Sequence, residues 1–190
     1  MKHESIILRN RDRKEVERFA DARCGEDQSL YKKRGGFKRE DIVIGALAEL
    51  AVYRFLKNQG FKVKRPDFTI HTKDKKSFNA DLTDGNKHFH VKGQSINSAI
   101  KYGNSWLMQR SDKLTKEPEL NHYLVPTEVN LRTLEVKIFG FPSFTALHHY
   151  NVFMDCKVEW FNKSKCAIYL DALAFLSLKA RWGMLKNYKD

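Results

Sequence analysis

The sequence predicts an α/β fold in which a mixed central β-sheet is flanked by helices. Residues 42–59 repeat apolar side chains at helical spacing, between an acidic cap at Asp41 and a glycine stop at Gly60. Residues 79–94 alternate with a period of two around Asp84-Gly85, a hairpin signature. Further strand-like runs at 61–64, 121–125 and 130–139 offer partners for that hairpin. With 190 residues and 42% hydrophobic content, the chain reads as one domain with a sizeable core. Its centre is placed at 41–140, after a basic segment at 1–40 and before a C-terminal hairpin and helix at 150–190.

The composition narrows the function classes. A net charge of +12 points to a polyanionic partner, and nucleic acid fits best. No apolar run approaches the roughly 20 residues that span a bilayer, and Met1-Lys-His-Glu4 lacks a secretory apolar region. No basic amphipathic helix stands out for a membrane surface. Cys24, Cys156 and Cys166 are odd in number and show no CxxC spacing, which predicts free thiols in a reducing cytoplasm. The expected setting is a bacterial or phage-infected cell.

In chain order, 9–23 predicts a short helix with Val16, Phe19 and Ala20 on its apolar side and Gly25 as its stop. The segment 31–39 is basic, with a glycine pair and two aromatics. Helix 42–59 follows, then a strand at 61–64, a break at Pro66-Asp67, a possible continuation at 68–72 and a charged loop at 73–77. Beyond the hairpin, 97–112 reads as partly helical with an interruption at Tyr102-Gly-Asn104. Pro126-Thr127 separates strands 121–125 and 130–139, and 144–150 is ambiguous. Runs 157–161 and 166–170 predict a last hairpin, and Asp171 caps a helix reaching about Trp182.

Two features invite a chemical reading. Glu49 has Gly45, Ala46, Val52 and Tyr53 as its helical neighbours, none of them basic. An acid set among small and apolar residues needs a partner from outside the helix or a bound cation. In the hairpin, alternation puts Asp81 on one face, beside His88 or His90 of the second strand. His88, His90, Lys92 and Gln94 share that strand's polar face, while Phe89 and Val91 point away.

The order helical Glu49, strand Asp81, then His90-Val-Lys92 resembles the PD-(D/E)XK nuclease superfamily, over residues 42–94. That resemblance implies a restriction-endonuclease-like core and a divalent-metal-dependent DNA endonuclease of restriction, phage or homing type. It implies that Glu49 and Asp81 hold Mg²⁺, with Mn²⁺ possible, and that Lys92 orients or deprotonates the attacking water, with Gln94 assisting. His90 stands where the family carries Glu or Asp. Imidazole is a poor partner for Mg²⁺ but accepts Mn²⁺ readily, so His90 counts as a catalytic and metal candidate.

The residue types suit this chemistry without the family name. Phosphodiester hydrolysis needs a cation to neutralise developing charge and acidify bound water, and a neighbouring lysine to handle the proton. Lys32, Lys33, Arg34, Lys38 and Arg39, with Lys179 and Arg181 near the C-terminus, are candidate phosphate contacts to double-stranded DNA. Cutting both strands calls for two sites, hence a possible homodimer. Two other readings are a non-catalytic nucleic-acid-binding protein on the same fold and a junction-resolving nuclease. Glu135-Val-Lys137 is a second E-x-K string, outside the helix–strand–strand unit; His88-x-His90 and His148-His149 lack a third ligand at zinc spacing.

Overall fold

In a computed structural model of the chain, residues 3–27, 39–68 and 80–181 are described. The fold is mixed α/β, as predicted. Five strands form one sheet in the order β1 (Glu4–Ile7), β6 (Glu135–Ile138), β5 (His122–Asn130), β3 (Lys87–Ser95) and β2 (Leu82–Asp84). The β3–β5 pair is parallel and the other three are antiparallel, so the sheet is mixed. Strands β4 (Ser105–Gln109) and β7 (Lys165–Tyr169) form a separate antiparallel pair.

Each face of the large sheet carries its own apolar layer, because successive strand residues point to opposite sides. On one side, Phe89 and Val91 of β3 and Val125 and Val129 of β5 pack with helices α1 (Asn10–Asp27) and α2 (Arg39–Asn58). On the other, Leu124 meets Trp106 and Met108 of β4, Ile168 of β7, and helices α5 (Phe144–His149) and α6 (Leu170–Arg181). Trp106 is 1% exposed and donates its indole N–H to the Thr127 carbonyl at 2.9 Å, so its burial leaves no orphan donor. Two short helices, α3 (Ile96–Tyr102) and α4 (Lys113–Lys116), start at Ser95 and Asp112, whose side chains cap them.

Helix α2 is apolar on the sides it buries, and its end follows from one glycine. Gly60 takes φ 90°, Phe61 N–H donates to Leu56 O at 3.0 Å and Gly60 N–H to Lys57 O at 3.1 Å. This is the Schellman pattern that satisfies the last carbonyls. The hairpin is also as read: Asp84 pairs with Lys87 across a two-residue turn in which Gly85 takes φ 57°.

Elsewhere the local reading is corrected. Helix α1 continues through Gly25 to Asp27, because an isolated glycine weakens a helix without ending it. Asp41 lies in the first turn of α2 rather than at its cap. Residues 61–64 join no strand: Phe61 and Val63 pack into the core, but no ladder takes up their main chain. Residues 69–72 and the loop 73–77 lie outside the described residues. Region 97–112 becomes α3, then β4, split at Gly103 with φ 80°.

Strand β5 runs straight through Pro126-Thr127, because β6 ends there. The last β5–β6 pair is Thr127 with Ile138, so the N–H that Pro126 lacks falls beyond the ladder. Residues 130–139 hold the end of β5, a tight turn with Leu134 at φ 56°, and β6. The expected last hairpin is absent: Glu159–Phe161 is a 3-10 turn, and β7 pairs with distant β4. Asp171 sits within the first turn of α6, not at its cap. Among the described residues no helix is long and apolar enough to cross a membrane. Cys24, Cys156 and Cys166 are free thiols.

Candidate active site

The site begins where α2 crosses β3. A Cβ on Gly93 would meet Ile44 Cγ2 at 3.1 Å and Ala48 Cβ at 3.2 Å, so the bare glycine lets the helix lie directly on the strand. Glu49 follows Ala48 and is half-buried at the margin of the apolar stripe. Asp81 immediately precedes β2, and extending the Leu82–Phe89 pairing by one residue sets it opposite His90. Its Oδ2 accepts the Val91 N–H at 2.7 Å. That donor lies on the β3 edge just where β2 has stopped, so the short strand both positions the acid and frees the group that fixes it. Lys92, half-buried, comes next along β3.

The two carboxyls are electrostatically linked, and the charge of Lys92 acts on both. Glu49 is pushed up from the ordinary 4.5 to about 8, first by burial and then by the negative charge of Asp81, while Lys92 and Arg23 act in the opposite sense. Asp81 is also raised, by burial, against the opposing effects of Lys92 and the Val91 N–H. Asp81 as a residue is exposed, although its carboxyl is surrounded closely enough to be desolvated. Two acids short of compensating charge retain a proton between them at neutral pH.

Such a carboxylate pair is a donor set for a hard divalent cation. Mg²⁺ commonly takes one or two protein carboxylates and fills its remaining positions with water and substrate phosphate oxygens. Glu49 and Asp81 fit that pattern. Among the described residues, no group of three or more His, Cys, Asp or Glu is placed to hold a metal ion.

His90 has other commitments. Its Nε2 lies 2.9 Å from Nδ1 of His122, the two rings sit edge to edge and nearly coplanar with centroids 5.1 Å apart, and Phe144 meets His90 edge-on at 5.6 Å. Burial, then the charges of His122 and Lys92, push His90 down to about 4, so its imidazole is neutral at neutral pH. His88 stacks on His122 at 4.4 Å. Gln94 is likewise engaged: it donates to Gly103 O and accepts from Ser105 N–H, each at 3.0 Å, and so ties β3 to β4. Its amide holds the scaffold rather than reaching the carboxylate pair.

The second E-x-K string is occupied by structure. Lys137 donates to Glu128 Oε1 at 2.9 Å, and Glu135 accepts from Ser5 Oγ at 2.8 Å, two strands away from β3. Of the expected phosphate contacts, Lys32, Lys33, Arg34 and Lys38 lie outside the described residues. Arg39 forms a bidentate pair with Asp21 at the start of α2, its Nη2 at 3.0 Å from Oδ2. For Lys179 and Arg181 only the main chain, in the last turns of α6, is described.

Sequence reasoning missed His122, Glu119 and the Val91 N–H. The parallel β3–β5 register, which sets His88 beside His122, is a long-range pairing with no local signal. The one available hint was a third histidine opening a strand-like run. Comparison with protein-family models, with curated proteins and with solved structures found no match. A functional reading therefore rests on the site itself.

Proposed function

We propose that this chain is a divalent-metal-dependent endonuclease with a restriction-endonuclease-like core, acting on double-stranded DNA. One observation carries the reading: Glu49 of helix α2 and Asp81 at the start of β2 are both raised by burial, Asp81 adds to the rise of Glu49, and the charge of Lys92 on β3 acts on both in the opposite sense. The net charge of +12 supports a polyanionic substrate. Glu49 and Asp81 would hold Mg²⁺ or Mn²⁺, with Asp81 fixed in place by the Val91 N–H. A cation bound there supplies neutralising charge for the phosphodiester and acidifies water. Lys92 orients that water and takes part in its proton transfer.

The direct test is incubation of the protein with supercoiled plasmid in Mg²⁺, in Mn²⁺ and in EDTA. The reading expects nicked or linear product with either metal and none in EDTA. Cleavage that persists in EDTA, or that leaves DNA intact in both metals, refutes it. Cutting of both strands further requires two sites, and light scattering on the DNA complex is then expected to give a dimer.

A second reading has its own observation. His90 occupies the position where the resembling family carries an acid, and its Nε2 is committed to His122. A nucleic-acid-binding protein that has lost cleavage would look like this. Salt-sensitive DNA binding without cleavage in either metal selects it.

A further inference from the structure

We propose that Glu119 and His122 are positioning residues that hold His90 in a single tautomer, with the proton on Nε2 and a bare lone pair on Nδ1. The use made of that nitrogen rests on the nuclease reading; the tautomer itself does not.

The short contact between His90 Nε2 and His122 Nδ1, 2.9 Å, holds one hydrogen, so one ring must donate and the other accept. Geometry at this pair alone permits either direction. Glu119, three residues before His122, removes the ambiguity: its Oε2 lies 3.3 Å from His122 Nε2. A carboxylate at that position favours a proton on Nε2 and repels a bare lone pair there. Lys113 pairs with the same carboxylate and helps to keep it ionised. With Nε2 of His122 protonated, its Nδ1 is the acceptor, and His90 must donate from Nε2. The remaining nitrogen of His90, Nδ1, then carries a lone pair, and no described residue donates a hydrogen bond to it.

Neighbouring rings hold this chain in place: His88 stacks on His122 at 4.4 Å, His90 lies 19° from coplanar with His122, and Phe144 meets His90 edge-on. Carboxylate–imidazole chains of this kind fix a histidine's orientation and tautomer. The arrangement also suits the charge of the site. A neutral nitrogen acceptor, polarised by a carboxylate one ring away, can hold a water or a borderline cation such as Mn²⁺ without adding charge.

The test is a long-range proton–nitrogen correlation spectrum of the histidines in the ¹⁵N-labelled full chain at pH 7, without metal or DNA. The wild type is expected to show His90 protonated on Nε2 and bare on Nδ1, with His122 also protonated on Nε2. His122→Phe keeps an aromatic ring but removes the acceptor, and should release His90 into a mixture of tautomers; Glu119→Ala should shift both histidines together. A wild-type His90 protonated on Nδ1 overturns the proposal even if neither variant folds. So does a His90 signal unchanged in both variants. Where cleavage is observed, His122→Phe should lower Mn²⁺-supported turnover by about tenfold or more, the usual effect of losing such an outer partner. A chain inert towards DNA sinks the nuclease reading and leaves the tautomer to be decided by the spectrum.

Discussion

Replacing Glu49 by glutamine should make the protein more stable, by an amount that depends on pH. In the folded chain Glu49 is raised to about 8 from an ordinary 4.5. Between those values the folded form keeps a proton that the unfolded chain has released, so unfolding liberates it and stability falls as pH rises. The favourable state is fully present below about pH 4.5 and is lost as pH passes through 8. A separation of about 3.5 pH units, at 1.36 kcal/mol each, sets an upper bound near 5 kcal/mol. Proton sharing with Asp81 and the partial access of water reduce this to roughly 2 kcal/mol. Glu49→Gln is isosteric and always neutral. Urea denaturation at fixed ionic strength should therefore find the variant equal to wild type near pH 4 and about 2 kcal/mol more stable at pH 9. Saturating Mg²⁺ at pH 8 should narrow that gap, because it binds the ionised wild-type pair. A difference that stays flat across the range, or a variant less stable at high pH, refutes the coupled-acid account.

Other expectations follow from particular contacts. Gly93→Val should destabilise by about 2 kcal/mol despite valine's strand preference, since its side chain has to displace Ile44 and Ala48; thermal unfolding reads this. Asp12 is 2% exposed, accepts the Arg9 N–H at 2.7 Å and pairs with Arg54 at 2.7 Å. Asp12→Ala strands that guanidinium and should cost roughly 3 kcal/mol in a chemical melt. DNA affinity should fall with salt at a log–log slope of about −0.9 per neutralised phosphate, and neutralising Lys32, Lys33, Arg34, Lys38 and Arg39 together should flatten it. A salt-independent affinity contradicts the polyanion reading of the charge. Glu135→Ala should leave cleavage unchanged, because that carboxylate serves Ser5 at the far side of the sheet.

What the sequence made legible was whatever its local periodicity and turn chemistry encode. Helix α2 with its Gly60 stop and the hairpin at Gly85 depend on neighbours a few residues apart. Glu49 was legible as an anomaly for the same reason: it is an acid with no basic helical neighbour, set among small and apolar residues. The pairings that define the rest are long-range. Strand β4 at 105–109 finds β7 at 165–169, and no residue in either marks the other. Strand β1 is four residues long and mostly exposed, so it shows little alternation. The polar face of β3 was legible as a face, but not the division along it. Lys92 acts on the acids through its charge, His90 turns to His122, and Gln94 is taken up by the main chain around Gly103, according to which element covers each position.

The central claim is that Glu49, Asp81 and Lys92 form a phosphodiester-cleaving centre distinct from the surface that binds DNA. Parallel measurement of plasmid cleavage and DNA affinity for wild type, Asp81→Asn and Lys92→Ala tests it most directly. The account predicts that both variants lose cleavage in Mg²⁺ and Mn²⁺ by at least about a hundredfold, the scale of a lost general acid–base group, while affinity stays within about threefold of wild type because backbone phosphate contacts carry it. Cleavage retained by either variant, or lost only in step with binding, contradicts it.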